Sequence, residues 1–242
     1  MPARPPYPPI EPPPTGWRLA EAVDRNQDLL ASGADLAPGT LLSAYRLGLF
    51  PMGLGPQGAE PIGWWSPVRR GVLTPGDHHV QRSLRRTARR FRVSVDEAFD
   101  EVVAACADSS REGRWITPAI ADAYRTLHDL GWAHSVEVWS GAELAGGLYG
   151  VSIGGFFAGE SMFHRRTDAG KVALWALADA VLAHPDGLID VQWQTEHLQT
   201  QGVREVSRQR YLELLPAALG APVPLLLRGE PAEAGLMPTR DR

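Results

Sequence analysis

The stretch from residue 134 to residue 162 constrains the fold more than any other part of the chain. It holds three runs with strand character: HSVEVW over 134–139, LAGGLYGV over 144–151 and GFFAGESM over 155–162. Turn signals at Ser140-Gly141 and Ile153-Gly154 separate them. Links this short join neighbouring antiparallel strands, so the stretch predicts a three-stranded meander. Helical spacing flanks it on both sides. Leu41, Leu42, Tyr45 and Leu49 follow a start at Pro38-Gly39-Thr40 and stop before Pro51. Asp96 precedes Phe99, Val102, Val103 and Cys106 as a cap would. Further helices are expected over 118–130, 171–182 and 208–219, and a short strand over 188–192.

That order of helices, meander, helix, strand and helix resembles the GNAT acyltransferases, an α/β (α+β) fold. In that fold the strand after the central helix splays from its neighbour and the acyl donor lies in the gap. A fold-level likeness does not by itself give an activity. The expected organisation is a proline-rich passive tail over 1–16, a small irregular N-terminal domain over 17–65 and a GNAT-like catalytic domain over 66–220. A patternless tail over 221–242 should fray. Eight of the first fourteen residues are proline, which removes backbone donors and predicts a polyproline-like or disordered segment.

Composition narrows the function classes. A hydrophobic fraction of 44% supports a packed core. The single cysteine, Cys106, excludes a disulfide and a multi-cysteine zinc site. The histidines show no ligand spacing, so no metal is expected. No apolar run approaches the ~20 residues of a membrane helix, and the chain is expected to be soluble and cytoplasmic. The net charge of −4 excludes a uniformly basic coat. The charge is nevertheless segregated, because residues 66–92 hold eight arginines and one acid, Asp77. A helix expected over 79–91 places Val80, Leu84, Ala88 and Phe91 on one face. Arg82, Arg85, Arg86, Arg89 and Arg90 take the rest. Five arginines without an acid between them repel one another, and an anionic partner such as a phosphate backbone relieves that repulsion. A plain solvated face is the alternative reading.

Three polar residues interrupt otherwise apolar strands: Glu160 in GFFAGESM, and Asp190 and Gln192 in LIDVQ. Strand alternation puts Asp190 and Gln192 on one face with Val191 opposite. Buried polar groups are costly unless paired. The trio is therefore either a mutually bonded core network or a site. As a site, its carboxylates can hold a cationic amine and accept its proton, and its amide can polarise a carbonyl, which suits attack of an amine on an ester. The loop HRRTDAGK before the next helix lies where acetyl-CoA enzymes bind pyrophosphate, yet it has one glycine where those enzymes have several. Lys171, the only lysine, stands at a helix N-terminus against the dipole, a sign that its amine is wanted there.

The ordered motifs YRLGLFPM, WWSPVRRGVL, CADSSREGRWI, LHDLGWAHSVEVW, GGLYGV, FAGESMF and LIDVQ resemble those of the leucyl/phenylalanyl-tRNA–protein transferases over residues 33–212. The resemblance implies an enzyme that moves Leu, Phe or Met from aminoacyl-tRNA to the N-terminal Arg or Lys of a protein, without a cofactor, making a destabilising N-terminus. It implies catalytic roles for Asp190 and Gln192, and a role for Glu160 in holding the acceptor amine or substrate. Trp115 would lie near the aminoacyl-adenosine, and Phe157 and Met162 near an apolar aminoacyl pocket. Thr195, just past the Asp190 strand, is a further candidate for substrate contact. The Arg helix and Lys171 would meet tRNA. Met52 stands where the family has Trp, so stacking on the terminal adenine would be lost or supplied by Trp64 or Trp65. Val191 replaces the family's Cys. Two other classes stand beside this one: an acyl-CoA-dependent amine acyltransferase and a non-catalytic RNA-binding protein.

Overall fold

A computed structural model describes residues 4–19, 26–108, 110 and 114–228. Two sheets organise the chain. The smaller contains β1 (Leu29–Ser32), β2 (Phe50–Gly53) and β3 (Ile62–Trp65) in the antiparallel order β1-β3-β2, with α1 (Pro38–Arg46) between the first two in sequence. The larger opens with β4 (Arg69–Leu73). Helix α2 (Arg82–Ala88), β5 (Arg92–Val95), α3 (Phe99–Cys106) and α4 (Pro118–Asp129) follow. Pro118 fits the first turn of α4, and the Thr117 hydroxyl accepts from the Ile120 N–H as a cap.

The predicted meander is present as β6 (Ala133–Ser140), β7 (Glu143–Ile153) and β8 (Phe156–His164). Then come α5 (Ala169–Val181), β9 (Leu188–Gln192), α6 (Glu196–Gln199), β10 (Arg204–Ser207) and α7 (Arg208–Gly220). The seven strands run in the order β10-β4-β9-β8-β7-β6-β5, and among the described residues β8 and β9 are the one parallel pair, bridged by α5. One face of this sheet packs Tyr149, Val151, Phe156 and Ala158 against α1, α3, α4 and α7. The opposite face packs Val136, Leu148, Phe157 and Ile189 against α2 and α5. No described helix is long and apolar enough to cross a membrane.

Four sequence expectations change. Asp96 does not cap α3, whose N-cap is Ala98; its carboxylate instead accepts from the Ser135 N–H and pairs with His134. The Arg helix spans Arg82–Ala88, shorter than 79–91, because neither end carries a side-chain cap and His79 instead donates its N–H to the Gln201 carbonyl. The proline-rich segment packs from residue 4 onward rather than trailing. Ile10 donates to the Leu130 carbonyl at 2.8 Å and accepts from the Trp132 indole at 2.8 Å, and Glu11 pairs with Arg46. Prolines lack donors but keep carbonyls, so an extended strap needs only such edge contacts. Beyond residue 220, Leu227 is buried in a single helical turn, and the rest of the expected C-terminal tail, 229–242, lies outside the described residues.

Candidate functional site

The parallel pair β8–β9 is hydrogen-bonded only from Phe156–Leu188 to Ala158–Asp190. Beyond that point both strands bulge. Glu160 is the extra residue on β8, between Gly159 and Ser161, which face Gly150 and Tyr149. Val191 is the extra residue on β9, between Asp190 and Gln192, which face Val72 and Gly71. Bulges re-aim side chains and end pairing. A Cβ on Gly150 would stand 2.1 Å from the Ala158 carbonyl oxygen, so the bulged strand needs a glycine there. The strands part, and a cavity of about 120 Å³ opens between them. Leu148, Met162, Leu174, Leu177, Val191 and Leu198 line it, with Glu160, Ser161 and Gln192 as its polar members. An apolar cavity of ~150 Å³ takes a benzene ring, so this one, open to solvent, has room for about one apolar side chain.

Asp190 is 0% exposed. Its Oδ1 accepts from Arg70 Nε at 2.8 Å and from the Gln192 N–H at 2.9 Å. Its Oδ2 accepts from Arg70 Nη2 at 2.6 Å and from the Tyr211 hydroxyl at 3.1 Å. Arg70 is itself 1% exposed, donates to the Gly48 carbonyl and lies between the Phe50 and Tyr211 rings at 4.9 and 4.4 Å. Burial pulls its proton affinity down, but Asp190 and Tyr211 more than offset this and hold the guanidinium charged. Gln192 follows with φ 59°, a left-handed backbone that is uncommon outside glycine. The bond from its N–H to Asp190 holds that conformation. The Gln192 side chain is 8% exposed and its Nε2 is buried without a partner. An orphaned buried amide is costly, and Gln192 is one of the residues that line the cavity.

Glu160 accepts from the Tyr45 hydroxyl at 2.7 Å and the Tyr124 hydroxyl at 2.8 Å. Burial raises its carboxyl to about 7, although both phenols act to lower it. Both phenols are themselves pushed well above 10, by burial first and then by Glu160, so they remain donors.

Several expected contacts fall elsewhere. Phe157 is fully buried beneath α5 and pairs with Ile189 where the strands still hold together, so it backs the cavity without lining it. Trp64 is 1% exposed and spends its indole N–H on the Gly33 carbonyl, so it is core and offers no stacking face. The exposed Thr195 caps α6 by accepting from the Leu198 N–H. Trp65 donates to the Met52 carbonyl and meets Trp193 edge-on at 5.9 Å. Trp193 in turn meets Phe50 at 5.1 Å, which joins this aromatic cluster to Arg70. The Trp115 carbonyl lies against Gly58 in the loop between β2 and β3. Lys171 pairs with Asp168 at 3.3 Å, which offsets its misfit with the helix dipole.

Arg82, Arg85, Arg86, Arg89 and Arg90 are all exposed and have no ion-pair partner among the described residues. Arg85 lies 5.3 Å from the Trp175 ring, beside a cleft of about 340 Å³ between α2 and α5. Among the described residues no group of His, Cys, Asp and Glu could hold a metal.

The side chains that hold the trio were missed in the sequence: Arg70, Tyr45, Tyr124 and Tyr211. Arg70 stands beside Arg69 in an arginine-rich segment, and Tyr45 and Tyr124 sit at apolar helical spacing. Their sequence signal is that of basic surface and core.

Comparison with known proteins adds a further finding. A family model described as leucyl/phenylalanyl-tRNA protein transferase matches residues 72–216, and the model of that family's N-terminal domain matches residues 34–68. The chain is 50% identical over 209 residues to the leucyl/phenylalanyl-tRNA–protein transferase of Chromohalobacter salexigens, covering 85% of this chain and 80% of that one. It is 47% identical over 225 residues to the protein of the same name from Desulfatibacillum aliphaticivorans, covering 88% and 94%.

Proposed function

The chain belongs to the leucyl/phenylalanyl-tRNA–protein transferase family, an aminoacyltransferase family, and on that premise we propose that it moves Leu, Phe or Met from tRNA to the N-terminal Arg or Lys of a protein. The observation that carries the reading is the unpartnered Gln192 amide beside an apolar cavity at the parting of β8 and β9. The cavity takes the aminoacyl side chain. The Gln192 Nε2–H donates to the ester carbonyl oxygen and to the negative charge that grows there as the amine attacks. Asp190 and Arg70 fix Gln192 in its left-handed backbone, so the amide is aimed before substrate arrives. Trp115 and the Trp65–Trp193 cluster are surfaces for the terminal adenine, a role in which Met52 contributes no aromatic ring. Lys171 and the exposed arginines of α2 meet tRNA phosphates.

The aminoacyl ester already carries the activation for peptide-bond formation, so ATP and CoA have no step to perform. The amine replaces the ribose 3′-oxygen at the carbonyl carbon, and the product is a protein with a new apolar N-terminus, a degradation signal. The cytoplasm, where charged tRNA resides, is the proposed compartment. The test supplies labelled Leu-, Phe- or Met-tRNA with a peptide starting in Arg, and a peptide starting in Ala as control. Label on the Arg peptide alone is the expected result. Acyl transfer from acetyl-CoA with none from aminoacyl-tRNA would instead support the acyl-CoA reading, and tRNA binding without any transfer the RNA-binding one.

A further inference from the structure

Resting on that reading, we propose that Glu160 is the proton acceptor of the transfer, and that Asp190 and Arg70 are positioning residues with no contact to substrate. The two carboxylates differ in how they are occupied. Asp190 has no exposed surface and accepts four hydrogen bonds, from Arg70 twice, Tyr211 and the Gln192 N–H. A carboxylate offers about four lone-pair sites, so no site remains for an incoming amine. Glu160 accepts from two phenols among the described residues, keeps lone pairs free and lines the cavity together with Gln192. Its position as the extra residue of the β8 bulge is what brings it to the gap.

The step balances. The neutral α-amine attacks the ester carbon and the C–N bond forms. One amine proton passes to a Glu160 oxygen. The bond from the carbonyl carbon to the ribose 3′-oxygen breaks, and that oxygen takes the proton from Glu160. Glu160 returns to a carboxylate and nothing is consumed. The titratable and charged groups that face it are Tyr45 on α1, Tyr124 on α4, Tyr149 on β7, Arg70 on β4 and Asp190 on β9. Asp190 raises the proton affinity of Glu160, while Arg70 and the two bonded phenols lower it. A general base works best when it titrates near the operating pH.

The test is the single-turnover rate of transfer from Leu-tRNA to an Arg-starting peptide between pH 5.5 and 8.5, for wild type and four variants whose folding is checked by circular dichroism. Glu160→Gln should lose about 100-fold or more in rate with tRNA affinity retained. Its acidic limb should disappear. Tyr124→Phe removes a bond that lowers the carboxyl, so the limb should move to higher pH, and Tyr45→Phe should do the same. Asp190→Asn removes a charge that raises it. Its limb should persist, moved to lower pH, at a reduced rate and unchanged tRNA affinity. The acceptor α-amine titrates near 7.7–8.0, and a limb from that group would stay in place in the tyrosine variants. A limb unmoved in both tyrosine variants, or Glu160→Gln within tenfold of wild type, overturns the assignment. Loss of the limb in Asp190→Asn alone does the same. A wild-type protein that transfers nothing overturns the functional reading along with it, whereas an active Glu160→Gln beside an active wild type overturns this assignment alone.

Discussion

Replacing Arg70 by Met should destabilise the protein far more than removing a typical arginine would. The guanidinium is 1% exposed and makes two charge-assisted bonds to a carboxylate with no exposed surface, at 2.8 and 2.6 Å. Removing it leaves Asp190 as a buried charge with only the Tyr211 hydroxyl and one N–H for company. Breaking a buried pair from one side costs about 3–5 kcal/mol. Asp190→Leu strands the opposite charge at a similar cost. The double variant strands no charge. It leaves the Gly48 carbonyl, the Tyr211 hydroxyl and the Gln192 N–H short of partners, worth roughly 2–4 kcal/mol together. The two single losses sum to about 6–10 kcal/mol, so the cycle should show a coupling of at least about 2 kcal/mol. Urea denaturation reads this directly. With a slope near 3 kcal/mol per molar, each single variant should lower the midpoint by about 1–2 M, and the double by no more than either. Additive losses, or Arg70→Met within about 1 kcal/mol of wild type, would refute the reasoning that this pair is the buried anchor of the site.

Two further outcomes follow from the same structure. Glu137 is buried beneath β5, accepts from the Ser94 and Ser135 hydroxyls, and is raised by burial to about 7. A carboxyl raised in the folded state stabilises below its unfolded value and loses that contribution as pH rises through about 7. Glu137→Gln should therefore flatten the decline in stability between pH 5 and pH 7, by on the order of 1–3 kcal/mol, as read by thermal melts. An unchanged slope would contradict it. Arg86 and Arg90 are exposed and unpaired among the described residues, so Arg86→Glu with Arg90→Glu should leave the melting temperature in place. The tRNA KM should rise and the dependence of log affinity on log salt should shrink by about 1–2 units, whereas an unchanged salt slope would remove the phosphate role from this helix.

The site was legible where polarity broke a local pattern and invisible where it came from packing. Glu160, Asp190 and Gln192 stood out because each interrupts an apolar strand, and the structure brings Glu160 and Gln192 to one cavity. The alternation rule that placed Asp190 and Gln192 on one face fails at the Val191 bulge, since an extra residue reverses the parity that follows it. That reversal places Gln192 among the residues that line the gap, while Asp190 stays in the opposite layer with Tyr211. Arg70, Tyr45 and Tyr124 reach the site from β4, α1 and α4, and nothing local marks an arginine whose partner is 120 residues away. Trp64 and Phe157 sit in motifs that the resemblance attaches to substrate, yet both are core, because a motif records position and not the direction of a side chain. The meander and the long helices follow from periodicity. The four-residue strands β1, β2, β3 and β10 do not, because their pairing is set by distant neighbours.

The claim at the centre is that the Gln192 amide, held ready beside the cavity, stabilises the charge that develops on the ester carbonyl. Gln192→Asn tests it with the least disturbance. Asparagine tolerates the left-handed backbone seen at this position, with φ 59°, and keeps the N–H to Asp190, but draws the amide back by one methylene. The measurement is the single-turnover rate of label transfer from Leu-tRNA to an Arg-starting peptide, together with the tRNA dissociation constant. A rate about 100-fold below wild type, with folding and tRNA affinity preserved, is the predicted result. A Gln192→Asn protein that transfers leucine at the wild-type rate would contradict the account.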